Sequence, residues 1–82
     1  MKTLGSIDGT YILKGPAPSD FRYVGSWERA GQGVSWTIKL YHNGAYCGRP
    51  YGIISPVDVG SEETSVRATI QAHIESSWVT TN

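Results

Sequence analysis

The stretch from Val34 to His42 alternates cleanly. Val34, Trp36, Ile38 and Leu40 fall on one side, and Ser35, Thr37, Lys39 and Tyr41 on the other. Successive side chains of a strand point to opposite faces, so this period of two specifies a strand with one buried face and one polar face. Gly31-Gln32-Gly33 precedes it and His42-Asn43-Gly44 follows it. Asn-Gly is the strongest short hairpin signal, because both central residues of a type I′ turn need positive φ. A strand with a hairpin at each end has an antiparallel neighbour on each side, so the middle of the chain is a meander.

The neighbouring segments fit that frame. Phe21 to Arg29 sets Phe21, Tyr23 and Trp27 on odd positions against Arg22, Ser26 and Glu28 on even ones, with Val24 and Gly25 weakening the pattern enough to suggest a bulge. Thr10 to Lys14 is rich in β-branched and aromatic residues and bounded by Asp8-Gly9 and by Gly15-Pro16-Ala17-Pro18, which predicts a short strand followed by a stiff loop. Ala45 to about Ile54 carries Gly48, Pro50 and Gly52 and reads as one irregular edge strand. Beyond Ser55-Pro56 the period changes: Val66, Ile70, Ile74 and Trp78 recur every four residues, with His73 and Ser77 beside them. Gly60 or Ser61 caps this helix, Glu62 and Glu63 occupy its first turn, and Glu63 and Arg67 form an i,i+4 pair. Val79 to Asn82 either frays or adds a short extended piece. The fold class is α+β: a small antiparallel meander of three to four strands with one C-terminal amphipathic helix on one face.

Composition narrows the class further. Eighty-two residues make one domain, 1–82, and a chain of this size buries roughly 63% of its surface on folding. With 39% hydrophobic residues and nine aromatics the chain is too core-rich for disorder. One cysteine, Cys47, leaves no disulfide framework, Met1 to Asp8 does not resemble a secretory leader, and no apolar run is long enough to cross a membrane. The expected compartment is the cytoplasm, with no membrane partner.

Seven Lys and Arg balance seven Asp and Glu, so any electrostatic partner must see a local patch. Residues 21–50 hold Arg22, Arg29, Lys39 and Arg49 against Glu28, and residues 51–82 hold Arg67 against Asp58, Glu62, Glu63 and Glu75. The sheet is locally basic and the helical half acidic. One helix covers one face of a sheet, which leaves the other face for function. Arg22, Arg29, Lys39, Tyr41 and Arg49 are the predicted partner-binding residues, and Glu62, Glu63 and Glu75 form an alternative acidic surface.

Catalytic and metal chemistry find little footing. Cys47, His42 and His73 are the only residues able to build a thiolate–imidazole pair, and no nucleophile motif surrounds Cys47, which reads as a buried inert thiol. His73 reads as half-buried on the rim of the helix stripe. Two histidines and one cysteine do not supply a metal site, and no cofactor is expected. Gly31-Gln32-Gly33 lacks the strand-before, helix-after context of a phosphate loop and is a turn. Arg49-Pro50-Tyr51-Gly52-Ile53-Ile54 is similar to the RNA-recognition-motif signature over six residues, but Pro50 replaces its glycine, Ile53 replaces its stacking aromatic, and no helix separates the first two strands, so that family is rejected.

By elimination the chain reads as a non-enzymatic binding protein. A small cysteine-poor chain with a small sheet, one helix and no enzyme motif resembles, in size and layout, the accessory proteins of phages and mobile elements, including anti-CRISPR inhibitors. That resemblance implies an inhibitor that docks on a bacterial protein or nucleoprotein complex in the host cytoplasm and blocks nucleic-acid access or nuclease recruitment. Direct single-stranded nucleic-acid binding through a basic, aromatic sheet face is the alternative. A homo-oligomer that uses the same face against itself is a third.

Overall fold

A computed structural model describes residues 3–14 and 18–78. Strands β1 (Thr3–Leu13), β2 (Ser19–Ala30), β3 (Gly33–His42), β4 (Ala45–Gly48) and β5 (Tyr51–Ile54) precede a single helix, α1 (Glu62–Trp78). All pairings are antiparallel, in the order β1-β2-β3-β4, with β5 also paired to β3. The described residues thus form the α+β meander and helix that the sequence patterns predict.

Both hairpins follow their turn residues. Asn43 and Gly44 have φ of 50° and 89°, as a type I′ turn demands. Gly31 alone of the Gly31-Gln32 pair has positive φ, 64°, the signature of type II′. The segment 45–54 is divided rather than continuous. β4 pairs with the end of β3 at Leu40 to His42, and β5 with its beginning at Val34 to Thr37. Between them a bulge at Leu40/Tyr41 and Pro50, whose carbonyl accepts the Ile38 N–H at 3.1 Å, interrupt the ladder.

β1 is longer than predicted, because Gly5 and Gly9 are strand residues and not turn residues. In register, Gly5 faces Trp27 and Gly9 faces Tyr23, while on the far side of the sheet Gly52 faces Trp36. A Cβ at Gly5 would overlap the Trp27 ring, and one at Gly52 would lie 3.1 Å from the Trp36 ring. The row Gly5–Trp27–Trp36–Gly52 therefore splays its two indoles outward onto glycines. Both indole Nε1 atoms are buried without a hydrogen-bond partner among the described residues.

α1 crosses the face bearing these rings. Val66, Ile70 and Ile74 are fully buried, in one cluster with Ile7, Phe21, Tyr23, Val34, Trp36, Ile38, Leu40 and Val57. The four-residue stripe meets the alternating faces of β2 and β3 as their periods require. The side chain of Trp78, the fourth member of that stripe, lies outside the described residues, as do Val79 to Asn82. His73 is exposed instead of half-buried: one residue off the stripe, it is turned about 100° around the helix from fully buried Ile74.

Candidate interaction face

Strand register fixes which residues share the uncovered face. Reading across β1, β2, β3 and the broken edge, the rows are Leu4–Glu28–Ser35–Ile53, Ser6–Ser26–Thr37–Tyr51, Asp8–Val24–Lys39 and Thr10–Arg22–Tyr41–Tyr46. No described element packs over them. The apolar end is strongly exposed, with Leu4 at 70%, Ile53 at 79% and Tyr51 at 80%. At the other end Tyr41 packs edge-on to Tyr46, with ring centroids 5.8 Å apart.

Of the five predicted partner-binding residues, four come together here. Arg22, Lys39 and Tyr41 point from this face, and exposed Arg49 joins Lys39 and Val24 around one depression of about 230 Å³. Arg22 and Tyr41, with Thr10 and Asp20, line a second of about 400 Å³. Among the described residues, Arg22, Lys39 and Arg49 make no ion pair and no side-chain hydrogen bond.

Arg29 does not belong with them, which corrects its assignment. It occupies an odd position in β2 and points to the helix face, where its side chain is 11% exposed. Its Nε donates to Glu62 Oε2 at 2.6 Å, Nη1 to the Gly31 carbonyl at 3.0 Å, and Nη2 to the carbonyls of Val57 and Asp58 at 2.6 and 2.9 Å. The guanidinium pins the β2–β3 turn and the loop before α1 to the helix N-terminus.

The alternative acidic surface is likewise not one patch. Glu62 is buried and reaches back to accept the Gly60 N–H at 2.9 Å, while the Ser61 carbonyl accepts the Ser65 N–H and starts the helix. The bond from Arg29, with smaller help from the backbone N–H groups of Glu62 and Gly60, holds the Glu62 carboxyl below the usual carboxylate range. Glu63 takes its predicted partner, Arg67 Nη2, at 2.7 Å. Glu75 accepts the Tyr11 hydroxyl, which pushes the Tyr11 pKa upward. Arg67 also donates to the Tyr23 hydroxyl at 2.8 Å and to the Asp8 carbonyl at 3.0 Å, tying α1 to β1 and β2.

Cys47 is exposed on β4 and not buried, because the short edge strand lies beyond the reach of α1. Local desolvation nonetheless raises its pKa, which keeps the thiol protonated. His42 stacks on Phe21 with centroids 4.6 Å apart. Among the described residues no three of His, Cys, Asp and Glu converge as metal ligands, and no helix is long and apolar enough to cross a membrane.

The apolar end went unread in the sequence. Leu4 fell before the predicted first strand, and Tyr51 and Ile53 fell in a segment whose glycines and proline hid its alternation. The available signal was that Tyr51-Gly52-Ile53-Ile54 is apolar on both faces, which an edge strand over a one-sided core does not need. Comparison of this chain with protein-family models, with curated proteins and with solved structures finds no match.

Proposed function

We propose that this chain is a non-enzymatic binding protein that docks through the uncovered face of its sheet. Its target is a bacterial protein or nucleoprotein complex, and bound there it denies access to nucleic acid or to a nuclease, in the manner of small phage inhibitors such as the anti-CRISPR proteins it resembles in size and layout. The carrying observation is the uncovered face itself, which presents exposed Leu4, Tyr51 and Ile53 at one end and Arg22, Lys39 and Arg49, without ion pairs among the described residues, toward the other. Arginine, tyrosine and exposed apolar side chains are the residue types that dominate protein interfaces.

Direct single-stranded nucleic-acid binding draws support from the same cations and from Tyr41 and Tyr46. It is the weaker reading. Stacking needs open ring faces in succession along the strand's path, whereas exposed Tyr51 stands alone at the apolar end, Tyr41 is half-buried against Tyr46, and hydroxyls lie between them. Asp8 and Asp20 also interrupt any phosphate track.

The test is a plasmid-interference assay in bacteria carrying an active CRISPR–Cas system, paired with gel shifts of the purified protein on single-stranded DNA at two salt concentrations. Docking predicts restored transformation by the targeted plasmid and no shift. A strong, salt-sensitive shift without any restoration makes nucleic-acid binding the function instead.

A further inference from the structure

We infer that the uncovered face is a seat for an amphipathic α-helix of the partner protein, with its C-terminal turn acidic and laid toward Lys39 and Arg49. This rests on the docking reading above and specifies what docks.

The face is a trough and not a plane. A depression of about 430 Å³ is lined by Leu4, Ser26, Ser35, Thr37, Tyr51 and Ile53, and it shares Ser26 and Thr37 with the depression around Val24, Lys39 and Arg49. Small hydroxyl residues make most of the floor, and Glu28 stands in it between Leu4 and Ser35. Leu4 on β1 and Ile53 on β5 make the walls, in one row three strand spacings apart. At about 4.8 Å per spacing the walls stand roughly 14 Å apart, which admits a helix of about 10–12 Å diameter. Along the strands the uncovered face runs from the row of Leu4 to the row of Thr10, six residues, with the last row lining a separate depression. That is about 20 Å, or roughly 13 residues of helix at 1.5 Å each. An extended peptide leaves most of that width empty.

Charge sets the orientation. The apolar walls and the Glu28 carboxylate lie at one end, and Arg22, Lys39 and Arg49 lie toward the other, where they outnumber Asp8 and Asp20. A helix carries partial negative charge at its C-terminus, and acidic side chains in its last turn add to it. Apolar residues spaced i, i+3, i+4, i+7 then fill the walled end while that last turn meets Lys39, Arg49 and Arg22.

The experiment pans a phage-displayed library of 18-residue peptides against the whole protein. Enriched peptides are synthesised and measured by fluorescence anisotropy and circular dichroism against wild type, Ser26→Tyr, which fills the floor without adding charge, and Lys39→Glu. Ile53→Ser, which removes a wall from an exposed position, is the second wall-and-floor variant should Ser26→Tyr alter the thermal melt. The expected result is peptides with helical apolar periodicity and acidic last turns, a gain of helix on binding, and affinity at least tenfold weaker for the floor and charge variants. Enrichment of nothing, or binding that ignores Ser26→Tyr and Ile53→Ser, overturns the inference. Peptides that bind in extended form, yet lose affinity in those variants, overturn the helix while sparing the docking reading. Tight binding of a 20-nucleotide oligo(dT) that needs Lys39 and competes with the peptides overturns both.

Discussion

Arg29 stands at an odd position of β2, and parity alone carries it to the face of Phe21, Tyr23 and Trp27. There its donors satisfy the Glu62 carboxylate and three loop carbonyls, so its work within the chain is to hold the α1 N-terminus. The consequence is a pH signature. Glu62 titrates below the ordinary carboxylate range in the folded chain, so between its folded and unfolded pKa the unfolded state binds more protons. The stabilisation is therefore complete above the unfolded value and lost as pH falls through the folded one. Urea midpoints measured from pH 7 down to pH 2 should drop along an acid limb that flattens in Glu62→Gln; an unchanged limb assigns the acid sensitivity elsewhere. Cys47, exposed but with its thiol pushed toward the protonated form, carries no such role. Cys47→Ser should leave both the urea midpoint and plasmid-interference activity unchanged, and loss of activity in a folded variant would mean the thiol has a function.

At the scale of elements, the helix and the central strands were readable because one period governs each of them: Ile70 is fully buried where a four-residue stripe meets a two-residue one. Ile70→Ala removes that contact and leaves a cavity, so the urea midpoint should fall by an amount worth about 2–5 kcal/mol. A wild-type midpoint would show that α1 is not seated there. Glycine is where the sequence misled. Gly9 marked a boundary and Gly25 a bulge, yet β1 runs through Gly5 and Gly9, and β2 pairs in unbroken register through Gly25. A glycine absent a side chain looks alike in a turn and beneath a ring, and only its cross-strand neighbour decides between them. At Gly25 an added Cβ would overlap the Thr37 carbonyl, a backbone atom that cannot swing aside. Gly25→Ala should cost more than the ordinary overpacking range of about 1–3 kcal/mol. Gly33→Ala, whose Cβ would meet the Ile54 carbonyl at 3.4 Å, should shift stability far less, and equal effects would reject this account of Gly25.

Across the whole molecule the zero net charge conceals a sorting by engagement. On the helix face Arg29 and Arg67 are spent on Glu62 and Glu63, and Glu75 holds Tyr11. On the opposite face Arg22, Lys39 and Arg49 are left without partners among the described residues, beside the apolar trough. Counting charges along the chain located the basic and acidic halves, but it could not tell cations holding the fold from cations facing solvent; that distinction needed strand parity for Arg29 and the broken edge for Arg49. It also dictates how the two surfaces can be compared. Reversing Glu62 would bury a second positive charge against Arg29 and unfold the helix start, so a triple reversal of Glu62, Glu63 and Glu75 would lose activity for the wrong reason. The informative pair is Glu63→Lys with Glu75→Lys, both exposed, against Arg22→Glu with Lys39→Glu, both exposed. The sheet-face double variant should keep its thermal midpoint and lose protection of the plasmid in the interference assay. The helix double variant should melt slightly earlier, having lost the Arg67 and Tyr11 contacts, and should still protect. If protection instead fails only in the helix variant, at a temperature where both remain folded, the partner docks on the acidic surface of α1 and competes there as a polyanion would.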